Sequence, residues 1–173
     1  MCFWIGDKMN IYLIGMPGSG KTTIGKSLAE AINYQYIDLD EYIEKRACLF
    51  ISEIFQMYGE KYFRDLESNM LKELGELDNI VVSCGGGIVI NKRNKDLMKG
   101  LVLYLTAPLV ELERRTKGTE DVRPLLNEKT IYDLYDERKD KYAYFSDIEI
   151  DTTKMDIKAI VEVINNYEKD INN

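Results

Sequence analysis

Residues 15–22 read Gly-Met-Pro-Gly-Ser-Gly-Lys-Thr, an instance of the pattern G-x-x-x-x-G-K-[ST]. The pattern holds phosphate only where a strand delivers the chain into the loop and a helix carries it away, so it dictates a local strand–loop–helix fold. Both flanks are present. The apolar run Ile11-Tyr12-Leu13-Ile14 precedes the loop, and the amphipathic stretch from Thr23 to Ala31 follows it. Gly15, Gly18 and Gly20 let the backbone turn tightly around Ser19 and aim its N–H groups inward. The positive end of the next helix completes an anion cradle. Lys21 has the reach to meet β- and γ-phosphates, and the Thr22 hydroxyl, with Thr23 beside it, suits Mg²⁺ and phosphate.

The rest of the chain alternates in the way such a loop requires. Apolar runs predict strands over Ile11–Ile14, Tyr36–Asp38, Ile80–Ser83, Leu101–Leu105 and Ile148–Asp151. Helical spacing predicts helices over Lys21–Ile32, Asp40–Arg46, Ser52–Tyr58, Glu60–Leu74, Asn94–Met98, Leu109–Thr116, Ile131–Tyr144 and Ile157–Tyr167. In the fourth of these, Phe63, Leu66, Met70 and Leu74 predict one buried stripe. Alternating strands and helices imply a parallel sheet covered on both faces, with ligands at the carboxyl ends of its strands. Lys117 to Lys129 breaks the alternation. It is polar and carries Gly118, Arg123 and Pro124. Its length suits a lid, the alternative being an idle surface loop.

The chain has 173 residues, enough for one domain with a substantial core. No apolar stretch nears the roughly 18 residues of a membrane span. Residues 1–8 hold a short apolar patch, Cys2-Phe3-Trp4-Ile5, without the basic start and apolar core of a signal peptide. We read them as an extension ahead of Met9, and residues 9–173 as the domain. A net charge of −7 with no Lys/Arg run argues against nucleic acid as a partner. The three cysteines, Cys2, Cys48 and Cys84, match no metal spacing and fit a reduced, cytoplasmic protein. There is no histidine. That removes Ser-His-Asp and Cys-His catalysis and His-ligated metals together. What remains is carboxylates, Lys, Arg and backbone dipoles, which suffice for phosphoryl transfer.

Four further groups carry chemistry. Asp38-Leu39-Asp40 ends the second strand beside the phosphate loop. Two carboxylates there can divide metal orientation from proton acceptance, or one can simply cap a helix. In Gly59-Glu60-Lys61-Tyr62-Phe63-Arg64-Asp65-Leu66-Glu67, Arg64 and Glu67 share a helix face. They form either an exposed ion pair or an anion receptor in which Glu67 holds the Arg64 fork. Gly85-Gly86-Gly87 follows the third strand and leaves backbone bare toward a ligand. Among the arginines, Arg115 ends a helix, where it complements the dipole or stacks on a purine. Arg123 lies in the lid, placed to neutralise transition-state charge. Arg138 lies on the helix after the lid, four residues before Tyr142.

Taken together these pieces resemble the shikimate kinase family. The matching parts occur in order: the phosphate loop at 15–22, Asp38-Leu39-Asp40, Gly59 through Glu67, Gly85-Gly86-Gly87, Arg123-Pro124-Leu125-Leu126 and Arg138-x-x-x-Tyr142, spanning about residues 9–167. The resemblance implies ATP- and Mg²⁺-dependent phosphorylation of the 3-hydroxyl of shikimate, in aromatic amino-acid biosynthesis. It implies an α/β fold of the P-loop NTPase type in three layers: a five-stranded parallel sheet, order 2-3-1-4-5, with helices on both faces and a lid. The chain is then expected to be a cytoplasmic monomer with a small-molecule substrate and neither nucleic-acid nor membrane partners. On the same resemblance, Lys21 and Thr22 handle phosphates and Mg²⁺, and Asp38 holds the metal through water. Asp40 contacts the acceptor hydroxyl, Arg64 and Arg138 clamp the carboxylate, and Gly85, Gly86 and Gly87 line the ring. Arg123 bridges phosphates and substrate, and Arg115 packs on adenine. Two positions depart from the pattern: Leu39 replaces a small polar residue, and Ile157 stands where proline is common. Another small-metabolite kinase, such as a gluconate kinase, is the nearest alternative. A non-catalytic nucleotide-binding protein is the second, and the retained lysine, aspartates and lid arginine argue against it.

Overall fold

Strand β1 (Asn10–Ile14) lies at the centre of the sheet with all five residues buried. On one side it pairs with β3 (Ile80–Ser83), Ile11 opposite Val81 and Leu13 opposite Ser83. On the other it pairs with β4 (Gly100–Thr106), Asn10 opposite Gly100 and Ile14 opposite Tyr104. β2 (Gln35–Asp38) adds to β3, and β5 (Ile148–Asp151) adds to β4. Every pairing is parallel, and the order is β2-β3-β1-β4-β5, as expected. A parallel sheet needs cover on both faces, which is why its inner strands read as unbroken apolar runs. The computed structural model describes residues 9–117 and 129–171.

Alternation along β1 splits the core in two. Tyr12 and Ile14 face a layer built from α2 (Leu39–Ala47), α3 (Ile51–Leu74) and later α6 (Ile131–Phe145), with Ile43, Ile54, Phe63, Leu71, Tyr142 and Phe145 against them. Ile11 and Leu13 face α1 (Lys21–Ile32) and the C-terminal α7 (Ile157–Ile171), which supply Leu28, Ile32, Ile160, Val161 and Ile164. Full burial of each such aliphatic side chain is worth about 1.5–3 kcal/mol. The short α4 (Asn94–Leu97) and α5 (Leu109–Thr116) complete the helices. Among the described residues no helix is long and apolar enough to cross a membrane.

Three local features depart from the sequence expectations or refine them. The helices expected on either side of Gly59 are two halves of α3, joined at a non-helical Gly59 with φ 80° and ψ 171°. The buried stripe of the second half is rotated. Phe63 and Leu74 are buried, but Leu66 and Met70 are only partly covered, while Arg64, Glu67 and Leu71 go under. Two charges can be buried because they lie against each other. After β3, Ile88–Ile90 forms a single 3₁₀ turn that no apolar period foretells. Of the expected lid, Lys117 to Lys129, residues 118–128 with Arg123 lie outside the described residues, as does the N-terminal extension, 1–8.

Candidate active site

The carboxyl ends of β1, β2 and β3 open onto one cleft of about 610 Å³. β1 delivers the phosphate loop, β2 delivers Asp38 and Asp40, and β3 delivers Cys84 and the three glycines. This is the edge at which a parallel sheet places ligands. All of these groups line the cleft, together with Arg64, Glu67, Arg115 and Arg138.

Where α1 begins, Gly20 sits in the left-handed region at φ 93° and offers no side-chain cap. The first-turn N–H groups of α1 are therefore left for an anion. The first turn of α1 holds no acidic residue. At Gly15 a β-carbon would overlap the Leu105 carbonyl and come within 2.9 Å of Ser19 Oγ, so the loop closes only on glycine. Ser19 is fully buried, whereas Thr22 and Thr23 are exposed toward the cleft. Lys21 Nζ donates to the carbonyls of Gly15 at 2.9 Å and Met16 at 3.0 Å, which holds its ammonium over the loop.

The two aspartates have different surroundings. Asp38 is the N-cap of α2: its Oδ1 accepts from the N–H of Asp40 at 3.1 Å and of Glu41 at 3.4 Å. Tyr36 donates its hydroxyl to Asp38 Oδ2 at 3.3 Å. The capping role thus falls to Asp38 and not to Asp40. β2 stops at Asp38, so the first turn of α2, rather than strand alternation, aims Asp40. Asp40 Oδ1 is buried with no hydrogen-bond partner among the described residues. Burial first, and then the neighbouring Asp38 charge, push its carboxyl up to about 6, against the pull of Lys21 and Arg64.

Arg64 is gripped from two sides. Its Nη1 donates to Glu67 Oε2 at 2.6 Å, and its Nε and Nη2 donate to Glu60 Oε1 at 3.2 and 3.0 Å. Burial pushes Glu67 up to about 7, although Arg64 pulls the other way. The triple glycine threads between these charges. A β-carbon on Gly85 would stand 2.9 Å from Asp40 Oδ1 and 3.2 Å from Glu67 Oε1. One on Gly87 would lie 2.6 Å from Arg64 Cζ, inside any tolerable contact. At Gly86 the neighbours are Pro17 Cδ at 3.3 Å and Arg138 Nη1 at 3.6 Å from the same construction.

Arg138, which alone would read as a solvated helix residue, is 3% exposed, and its Nε has no hydrogen-bond partner among the described residues. Tyr142, one turn on, stacks on Tyr104 with ring centres 5.0 Å apart and donates its hydroxyl to the Gly86 carbonyl at 2.5 Å. That bond ties α6, and Arg138 with it, to the glycine turn. Arg115 stands at the rim, its Nε on Glu111 Oε1 at 2.6 Å and its Nη1 on the Gly18 carbonyl at 3.2 Å.

All the described candidate residues except Gly15, at the base of the loop, therefore line one cleft. Sequence reasoning missed Glu60 as a partner of Arg64, although its i, i+4 spacing is readable. It also missed Phe55 and Phe63 as an apolar part of the lining; their rings pack 4.9 Å apart and both line the cleft.

Known proteins resemble this chain in sequence and in fold. The family profile described as Shikimate kinase matches residues 17–168. A shikimate kinase of Persephonella marina is 46% identical over 147 residues, covering 83% of this chain and 88% of its own. A bifunctional shikimate kinase/3-dehydroquinate synthase of Thermotoga maritima is 45% identical over 150 residues; the match takes in 85% of this chain and only 30% of that longer protein. The solved structure of shikimate kinase from Acinetobacter baumannii in complex with shikimate superposes with a TM-score of 0.85 at 30% identity, covering 95% of this chain and 94% of that one. On its sequence, its sheet order and the composition of its cleft, the chain belongs to the shikimate kinase family.

Proposed function

We propose that the chain transfers the γ-phosphoryl group of ATP to the 3-hydroxyl of shikimate, with the roles divided as follows. The observation that carries this reading is a pair of buried guanidiniums, Arg64 and Arg138, set against Gly87 and Gly86 in the cleft that also holds the phosphate loop. Two arginines and bare backbone suit a small hydroxylated acid: a fork for its carboxylate and small donors for its hydroxyls. In a chain of net charge −7, two anionic ligands need local positive potential, and Lys21, Arg64, Arg138 and the open end of α1 supply it.

Asp40 is the proton acceptor for the 3-hydroxyl. Its Oδ1 is buried and unpartnered among the described residues, and its carboxyl, at about 6, is ionised at neutral pH yet basic enough to take a proton. Lys21 stabilises charge on the transferred group. Arg123 reaches the phosphates from the lid over about residues 117–129, and Arg115 packs on adenine beside Thr152.

Mg²⁺ fits the donor set. Thr22 and Asp38 offer hard oxygens at the cleft, and among the described residues no cluster of three or more His, Cys, Asp or Glu could hold a metal by itself. That is the pattern of an ion carried mainly by phosphates and water. Thr22 would hold it directly and Asp38 through water, and when bound it neutralises phosphate charge. We read residues 9–173 as one domain, acting as a cytoplasmic monomer without nucleic-acid or membrane partners.

The test is ADP release measured with shikimate and, separately, with gluconate, followed by phosphorus NMR of the product. Shikimate-dependent release yielding the 3-phosphate is expected. Release with gluconate alone, or none with either acid, would overturn the reading.

A further inference from the structure

The two carboxylates on Arg64 are not equivalent. Glu67 is 1% exposed and meets Nη1 at 2.6 Å, whereas Glu60 is 47% exposed and lies on the Nε and Nη2 edge. Both of those longer bonds end on one oxygen, Glu60 Oε1. A guanidinium edge matched by two carboxylate oxygens forms two parallel bonds, so Glu60 fills the edge without using its full capacity. Gly87 lies against both Nη nitrogens: its β-carbon, if present, would come closer than any tolerable contact to Nη1 and within 2.5 Å of Nη2. With Glu67 on Nη1 and Gly87 beside both Nη nitrogens, the Nε–Nη2 edge is the one that a departing Glu60 would free for a fork.

Charge counting points the same way. Arg64 already carries Glu67 on Nη1 and Glu60 on Nε and Nη2. A substrate carboxylate arriving with Glu60 still in place would be the third on one mostly buried guanidinium. Like charges so placed repel strongly. Glu60 also has room to leave. It directly follows Gly59, where α3 is broken at φ 80° and ψ 171°, and a β-carbon at Gly59 would have no neighbour within 4 Å.

We propose that Glu60 is an internal stand-in for the substrate carboxylate: it occupies the Nε–Nη2 edge of Arg64 in the ligand-free protein and yields it when the substrate binds. Glu67, buried on the opposite side, stays and keeps the fork aimed. Glu60 thereby competes with the substrate and keeps the buried arginine paired between turnovers. The inference rests on the reading of Arg64 as receptor of the shikimate carboxylate.

Its sign separates it from a simple anchoring role. A merely supporting carboxylate weakens substrate binding when removed, whereas a competitor strengthens it. Shikimate affinity is measured by calorimetry, without nucleotide, for wild type, Glu60→Ala, Glu60→Gln and Arg64→Ala, alongside shikimate carboxamide. A half-exposed pair of this kind is worth at most about 1 kcal/mol, so Glu60→Ala should bind shikimate about 2- to 5-fold tighter, with Glu60→Gln in between. The carboxamide should show no such gain. Equal or weaker shikimate binding by both Glu60 variants, or an equal gain for carboxamide, overturns the stand-in. Glu60→Gln keeps the side-chain volume and decides the matter if the alanine variant unfolds. The Arg64→Ala arm tests the underlying reading separately: wild-type affinity there removes the receptor itself, whereas a large loss there with no gain in the Glu60 variants removes only the stand-in.

Discussion

The phosphate loop and the proposed acid pocket share one cleft but are built to hold anions by different means. The loop is contiguous, residues 15–22, and works through backbone N–H groups, a helix end and one lysine. The pocket is assembled from α2, α3, α6 and the turn after β3, and works through buried side chains whose charges must be balanced inside the fold. A backbone site recognises phosphate in general. A side-chain site recognises one acceptor. On the proposed reading, the loop takes the nucleotide and the pocket chooses the substrate.

The sharpest way to break that division is at the loop's one cation. Lys21→Ala should lower turnover on the order of 10³- to 10⁵-fold, the scale of removing a cation from a transferring phosphoryl group, while the fold survives. Near-normal turnover by a folded mutant would separate the loop from the chemistry. Asp40→Asn should come next, costing about 10²- to 10⁴-fold in turnover with little change in ATP affinity. Wild-type kcat/KM for shikimate should fall as pH drops through the Asp40 pKa, because the base is lost on protonation. That pKa is about 6 in the free protein and is pulled lower by any bound cation. A pH profile that stays flat down to about 4.5 would assign proton transfer to another group.

Gly87→Ala probes the pocket without removing a charge. The new methyl would press on Arg64 Cζ, and the fork would shift. Shikimate KM should rise about 10-fold or more, as expected for a misplaced clamp, with ATP KM unchanged. If both constants move together, the two regions are not separable. The smallest effect is expected from Arg115→Ala. Its ion pair with Glu111 is partly exposed, so ATP KM should rise no more than about 5-fold.

How far each region was readable in the sequence follows the same contrast. The phosphate loop needs only local order, so eight residues and their flanks suffice. The break at Gly59 was readable for the same reason. The pocket was readable only in part. Helical spacing placed Leu66 and Met70 on the buried stripe and made Arg64–Glu67 an exposed pair or a receptor, yet Arg64 and Glu67 are the ones that go under. Whether a charge can be buried depends on partners from distant segments, here Asp40, the three glycines and Arg138, and local periodicity carries no trace of them. Asp38 and Asp40 likewise differ by where β2 stops, which sets the cap and leaves the other carboxylate bare.

The most direct measurement is a binding cycle between the arginines and the substrate carboxylate. Shikimate and its carboxamide are compared on wild type, Arg64→Ala and Arg138→Ala. Charge-assisted bonds are worth about 1.5–3 kcal/mol each, so each mutation should weaken shikimate binding roughly 10- to 150-fold. Each should also erase most of the wild type's preference for the acid over the amide. Equal discrimination by wild type and both mutants would place the carboxylate elsewhere, and the division between a backbone site for phosphate and a side-chain site for the acid would fail.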